Sequence, residues 1–97
     1  VLKVGLLALD PRTREVTEDS VPLNLTNKEF SLLEYLMHNP GRVLTRDQIS
    51  AHIWEYEFTA MSNVVDVYIG ALRRKLRDSG IIRTVRGVGY QLLSESP

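Results

Sequence analysis

The sequence predicts one α+β domain, with a strand-rich N-terminal part, three helices and a C-terminal β-hairpin. Short segments of alternating apolar and polar residues occupy the first 25 positions. The apolar spacing then changes to the helical period, and two β-rich runs around a tight turn close the chain. With 97 residues the chain is long enough for one hydrophobic core and too short for two.

The composition limits the classes of protein that the chain can belong to. Cysteine is absent, which excludes disulfides and thiolate metal sites and fits a reducing compartment, so we expect a cytoplasmic protein. No apolar run approaches the roughly 20 residues of a membrane-spanning helix, and we expect no membrane partner.

The formal net charge is zero, but the charges are unevenly distributed along the chain. Residues 1–72 carry a net charge of −4, whereas residues 73–97 carry +4. A basic end on an acidic body favours a polyanionic partner. A basic run is also common on an ordinary solvated helix face, so charge alone leaves both interpretations open.

The N-terminal strands are predicted from three alternating segments, at residues 2–9, 14–17 and 21–25. Asp10-Pro11 is a turn signal, and the polar run Glu18-Asp19-Ser20 separates the last two segments. Such a series of short strands predicts a small antiparallel sheet.

The first helix is predicted over residues 27–38. Thr26 and Glu29 form a capping box, in which each side chain accepts the backbone N–H of the other residue. Leu25 and Phe30 occupy the positions of a hydrophobic staple on either side of that cap. The run Asn39-Pro40-Gly41 ends the helix.

The second helix is predicted over about residues 46–54, after a two-residue strand at Val43-Leu44. Thr45 and Gln48 repeat the capping box at its start. Trp54 at its end is interpreted as a core anchor, because a large aromatic side chain contributes much apolar area to a small core.

A third helix is predicted from a cap at Ser62 to about Asp78. One arc of this helix is apolar and faces the core: Val65, Tyr68, Ile69, Leu72 and Leu76. The opposite arc faces outward and becomes basic toward its end: Asn63, Val67, Gly70, Ala71 and Arg74, flanked by Asp66, Arg73 and Arg77. Gly70 costs about 1 kcal/mol relative to alanine in a helix interior, which favours a close approach of another molecule there.

The C-terminal run 81–93 predicts a hairpin whose turn contains Gly87-Val88-Gly89, with Arg86 at its tip. An arginine at a hairpin tip has little to pack on. Three helices followed by such a hairpin are the order of elements in a winged helix-turn-helix. A helix about 10 Å wide fits a major groove about 12 Å wide, and a tip arginine fits a narrow minor groove.

Val67 and Ala71 would then be able to contact thymine methyl groups. The alternative is that the third helix is an ordinary amphipathic core helix, or that its outer face docks a protein partner.

Other candidate sites are weaker. His38 and His52 lie 14 residues apart with no cysteine near them, so we expect no metal. The acidic pairs Glu18/Asp19 and Glu55/Glu57 fall in short polar turns without a plausible pocket. We therefore expect neither an enzyme nor a cofactor.

With these segments in view, the sequence resembles the C-terminal effector domain of the OmpR/PhoB class of two-component response regulators. The matching segments are LTNKEF at 25–30 with Leu32-Leu33, NPGRVLTRDQI at 39–49, Ile53-Trp54, VDVYI at 65–69, LRRKL at 72–76 and TVRGVGY at 84–90. They extend over essentially the whole chain, so residues 1–97 are interpreted as one winged-helix domain.

The resemblance implies a four-stranded N-terminal sheet, a three-helix core and a C-terminal hairpin that pairs with the strand at Val43-Leu44. It implies sequence-specific binding of double-stranded DNA in transcription regulation, with helix 63–77 in the major groove and Arg86 near the minor groove. The expected DNA-binding residues are Asn63, Val67, Tyr68, Gly70, Ala71, Arg73, Arg74, Thr84 and Arg86. Several relatives carry a basic residue at the positions of Gly70 and Ala71, so this chain departs from them there.

The resemblance also implies partners beyond DNA. These are an N-terminal receiver domain, a sensor kinase that acts on the receiver in the phosphorelay, a second copy on tandem DNA repeats, and RNA polymerase. The receiver is absent from this chain, which begins with Val1 rather than Met. The loop expected to contact the polymerase contains Glu55, Tyr56, Glu57, Phe58 and Thr59. The alternative function is a protein-interaction winged helix that does not read DNA.

Overall fold

The computed structural model describes residues 1–53 and 64–93 and has the predicted α+β winged-helix architecture. Two antiparallel sheets surround a core of three helices. The elements are β1 (Leu2–Val4), β2 (Leu7–Asp10), β3 (Glu15–Glu18), β4 (Val21–Leu23), α1 (Asn27–His38), β5 (Val43–Thr45), α2 (Arg46–Ile53), α3 (Val64–Lys75), a 3₁₀ turn (Ser79–Ile81), β6 (Ile82–Val85) and β7 (Gly89–Leu92). The predictions for Trp54, the loop 55–62 and Asn63 lie outside the described residues.

The N-terminal sheet has four strands in sequence order, which confirms the four-stranded sheet that the resemblance implies. The first segment, 2–9, is not one strand but two. Gly5, with a φ of +58°, and the exposed Leu6 form a turn between β1 and β2. The left-handed conformation at Gly5 suits a residue without a Cβ, and it folds the chain back on itself.

The second sheet has the order β5-β7-β6, so β5 pairs with the C-terminal hairpin as expected. Gly89 in β7 pairs with Thr45, and a Cβ at this glycine would lie only 2.0 Å from the carbonyl oxygen of Leu44. No side chain fits in that space. Gly89 thus belongs to the strand and allows close contact with β5, while residues 86–88 form the turn.

The core combines the apolar faces of the three helices with buried residues from both sheets, and it includes the predicted apolar arc of α3. On α3, Val65, Ile69 and Leu72 are buried, and Leu76 just after the helix is buried too. Tyr68, predicted on the same arc, is only partly buried and packs against the edge of this core. Both capping boxes are present: Thr26 bonds reciprocally with Glu29, and Thr45 with Gln48, at 2.9–3.2 Å.

The third helix ends two residues earlier than the predicted 63–77. The backbone N–H of Arg77 donates to one carboxylate oxygen of Glu18 at 2.5 Å, and that of Asp78 donates to the other at 2.9 Å. In a longer helix these two N–H groups would bond to the carbonyls of Arg73 and Arg74. The expectation that Glu18 lies in a polar turn is also wrong, because its side chain is on β3 and the residue is only 3% exposed.

We expect Glu18→Ala to lower the free energy of unfolding by about 1–2 kcal/mol, because two part-buried backbone N–H groups lose their charged acceptor. Urea unfolding at neutral pH measures the change. Glu15→Ala, an exposed carboxylate on the same strand, is the matched control and should change stability by less than about 0.5 kcal/mol. Equal effects of the two variants would contradict the role of Glu18.

An ion pair between the exposed Lys75 and the buried Glu29 connects the end of α3 to the start of α1. Lys75 donates to the Glu29 carboxylate at 2.5 Å and to the carbonyl of Asn24 at 2.9 Å. Burial alone would raise the pKa of Glu29, but the bonds from Lys75 and Thr26 outweigh it and hold the pKa below 4.5. Glu29 therefore stabilises the fold above its ordinary pKa, and this contribution is lost as the pH falls through the lowered value.

We expect Glu29→Gln to reduce stability by about 1 kcal/mol at pH 7, since glutamine keeps the capping box but loses the charge that pairs with Lys75. The difference between the two proteins should shrink as the pH is lowered below 4.5, where wild-type Glu29 becomes protonated. Thermal unfolding at a series of pH values measures it. A difference that stays constant down to strongly acidic pH would refute the assignment.

Candidate nucleic-acid interface

The outer face of α3 presents one continuous stripe of small and basic residues. Val67, Gly70, Ala71 and Arg74 follow each other at helical spacing, so their Cα atoms lie on one side of the helix. Val67 is 57% exposed and Arg74 is exposed, while Gly70 and Ala71 are partly buried. Exposure confirms the predicted outward orientation for Val67 and Arg74, and Gly70 and Ala71 lie between them on the same side of the helix.

The three consecutive cations at the end of α3 point in three different directions, because successive side chains are about 100° apart around a helix. Lys75 is bound to Glu29 at the start of α1. Arg73 is bound to the hairpin. Arg74 has no hydrogen-bond or ion-pair partner within residues 1–53 and 64–93. The three cations are adjacent in the sequence but differ in role: Arg73 and Lys75 bond within the domain, and Arg74 faces outward.

Arg73 and Thr84, both predicted to contact DNA, are bonded to each other. The guanidinium of Arg73 donates to the hydroxyl of Thr84 at 2.8 Å and to the carbonyl of Ile82 at 2.7 Å. It also lies over the ring of Tyr90, 5.5 Å from the centroid. The bonds hold the hairpin against the end of α3, and they leave Thr84 exposed beside that helix.

A second cluster, which the sequence reasoning did not identify, lies behind this face. The hydroxyl of Tyr90 donates to Oδ1 of Asp66, and Nε of Arg46 donates to the same oxygen at 2.9 Å. Burial would raise the pKa of Asp66, but these two bonds and the charge of Arg46 lower it below 3.8. Burial and the bond to Asp66 raise the pKa of Tyr90. The cluster connects α2, α3 and β7 through one carboxylate.

The hairpin tip carries Arg86 in an exposed turn, as predicted. Gly87 has a φ of +77°, and a Cβ there would meet no atom within 4 Å, so the turn stands clear of the rest of the domain. Among the described residues, none accepts a hydrogen bond from Arg86 or pairs with its charge. Its guanidinium is therefore available to a partner molecule.

The two histidines, the candidates that remain within the described residues, have neighbours that do not suggest a site. His38 lies 3.9 Å from Glu34, and His52 stacks on Tyr35 with ring centroids 4.0 Å apart. Within the described ranges, no group of three His, Cys, Asp or Glu side chains is arranged to hold a metal ion. No helix in the same ranges is long and apolar enough to span a membrane. The pair Glu55/Glu57 and the loop 55–59 lie outside the described residues.

Comparisons with known proteins give a consistent answer. The sequence profile of the family described as "Transcriptional regulatory protein, C terminal" matches residues 20–92. The response regulator MprA of Mycolicibacterium vanbaalenii is 52% identical over 94 residues, which make up 94% of this chain and 40% of MprA. The chain thus spans less than half the length of that relative.

Two solved structures share the whole fold. The DNA-binding domain of CpxR from E. coli superimposes with a TM-score of 0.86 at 34% identity, with 98% of this chain and 97% of that chain covered. The DNA-binding domain of RstA from Klebsiella pneumoniae, solved in complex with the RstA box, has a TM-score of 0.87 at 30% identity, with 96% of both chains covered. The chain therefore belongs to the family of C-terminal domains of transcriptional regulatory proteins, the OmpR/PhoB class that its motifs resemble.

Proposed function

We propose that this domain binds double-stranded DNA in a sequence-specific manner and regulates transcription. The observation that carries the proposal is the pair of exposed, outward-facing arginines, Arg74 on α3 and Arg86 on the hairpin. The bond between Arg73 and Thr84 brings the elements that carry them together. Guanidinium groups without an internal partner are suited to phosphates and base edges. The likeness to RstA, whose domain was solved with the RstA box, supports the same proposal.

In this proposal α3 enters the major groove with its outer stripe toward the base edges, and Arg86 reaches the adjacent minor groove. Asn63, Val67, Gly70 and Ala71 would lie closest to the bases. Tyr68, Arg73 and Thr84 would contact the phosphate backbone, which positions the domain on the duplex. The bond between Arg73 and Thr84 holds two of these phosphate-binding groups in a fixed arrangement before DNA arrives.

We propose further that the full-length protein is a cytoplasmic response regulator, since MprA is more than twice as long as this chain. An N-terminal receiver domain phosphorylated by a sensor kinase would control the DNA-binding domain, and two copies would occupy tandem repeats. The segment Glu55-Tyr56-Glu57-Phe58-Thr59 would contact RNA polymerase. The proposal includes no cofactor and no enzymatic activity.

We expect Arg86→Ala to weaken DNA binding by about 1–3 kcal/mol, because a charge-assisted contact in the minor groove is lost. The slope of log K against log salt should also decrease by about one, since one cation fewer displaces counterions. Fluorescence anisotropy titrations between about 50 and 200 mM salt, on a duplex selected from a random pool, measure both quantities.

Arg12→Ala is the matched control, because it removes the same charge from an exposed turn of the N-terminal sheet. It should leave the affinity and the slope nearly unchanged. If Arg86→Ala behaves like the control, the hairpin does not contact DNA. If binding of the wild-type domain hardly depends on salt, the protein-docking alternative is favoured instead.

A further inference from the structure

We propose that Arg74 reads a guanine in the major groove, and that Gly70 is the slot in the helix surface that places its guanidinium there. The inference rests on the proposed DNA binding and adds a base and a residue to it. It assigns different roles to the two adjacent arginines of α3: Arg73 positions the hairpin and contacts the backbone, and Arg74 reads the sequence.

The first observation is the position of the Arg74 side chain. Its Nη1 atom lies 3.7 Å from the place where a Cβ of Gly70 would be. Helical side chains lean toward the N-terminus, so a residue covers the turn before its own Cα. Because Gly70 has no side chain, the guanidinium can lie against the helix surface one turn back. It therefore occupies the middle of the outer stripe and not its C-terminal end.

The second observation is that the described parts of the chain leave Arg74 without a competing partner. Arg73 is engaged by Ile82 and Thr84, and Lys75 by Glu29 and Asn24. Asp66 is the acidic residue of α3, and its carboxylate is already bonded to Arg46 and Tyr90. No carboxylate on this helix is thus paired with the exposed Arg74 guanidinium.

The chemistry of the stripe favours a particular base. Arginine presents two parallel N–H donors that match O6 and N7 of guanine, the most common specific contact in the major groove. Val67 and Ala71 beside it have no donor or acceptor and can contact only an apolar group, which in the major groove is the thymine methyl. The stripe therefore fits a guanine with a thymine next to it.

The test is selection of duplexes from a random pool, followed by sequencing, for the wild-type domain, Arg74→Ala and Arg12→Ala. Alanine removes every side-chain donor and keeps the helix. We expect Arg74→Ala to lose most of the preference for guanine at one position per site, where the wild type should discriminate by roughly 5- to 140-fold. The other positions should keep their preferences. Arg12→Ala should select the wild-type sequence.

A second pair of variants tests the slot without changing Arg74. In Gly70→Ala the new Cβ lies at ordinary contact distance, 3.7 Å from Nη1, so the guanine preference should persist. In Gly70→Leu the longer side chain fills the slot and displaces the guanidinium, so the same preference should fall. Both substitutions favour the helix, and circular dichroism confirms that each variant is folded.

The outcomes separate this inference from the proposed function. If the wild-type domain selects no sequence, both proposals fail. If it selects a clear site but Arg74→Ala keeps the guanine preference, or loses affinity equally for all sequences, Arg74 does not read that base and the inference is overturned while DNA binding stands. If Gly70→Leu keeps the guanine preference, the role of Gly70 is refuted.

Discussion

The C-terminal turn of α3 is held from three sides, and the position of the candidate interface depends on this constraint. Lys75 ties it to the buried Glu29 at the start of α1, and Arg73 ties it to β6. Immediately after the helix, two backbone N–H groups are bound by Glu18 from the N-terminal sheet. Each tie uses a charged group, and charge-assisted hydrogen bonds are stronger and more directional than neutral ones. The end of the helix therefore has little freedom to rotate or slide.

This arrangement changes how the basic end of the chain is interpreted. The net charge of +4 over residues 73–97 suggests a general attraction to polyanions. In the structure, Lys75 pairs with Glu29, and Arg73 is held at the hairpin by the two bonds that its Nη2 atom donates. The groups left for a partner are fewer than the charge count suggests, and they occupy defined places. A face with few, fixed cations is better suited to recognising particular bases than to binding every duplex equally.

The features that the sequence predicts correctly are local. A capping box needs residues only three positions apart, and the apolar arcs of α1 and α3 follow from a period of 3.6, so both could be read without knowledge of the fold. The bond from Glu18 to Asp78 joins residues 60 positions apart, and the one from Arg46 to Asp66 joins residues 20 apart. Neither bond leaves a spacing signal. For this reason the predicted end of the third helix was wrong and the Asp66 cluster was missed.

Gly70 shows a second limit of the sequence reasoning, at the candidate site. Its presence in a helix interior predicts a close approach, but the sequence cannot say by what. In the structure the group that lies nearest to it is the guanidinium of Arg74, from the same helix and one turn further on. The space beside Gly70, where the glycine has no side chain, is thus occupied by the guanidinium of Arg74.

Bonds between α3 and the C-terminal hairpin determine how Arg74 and Arg86 are placed relative to each other. Arg73 bonds to Thr84, and the cluster around Asp66 joins α2, α3 and β7. Gly89 allows β7 to lie directly against β5, with no room for adjustment by a side chain. The backbones that carry Arg74 and Arg86 are therefore held in a defined relative position by bonds within the domain. In the proposed complex, a duplex that cannot meet both arginines at once must deform or bind more weakly, so its shape would contribute to recognition.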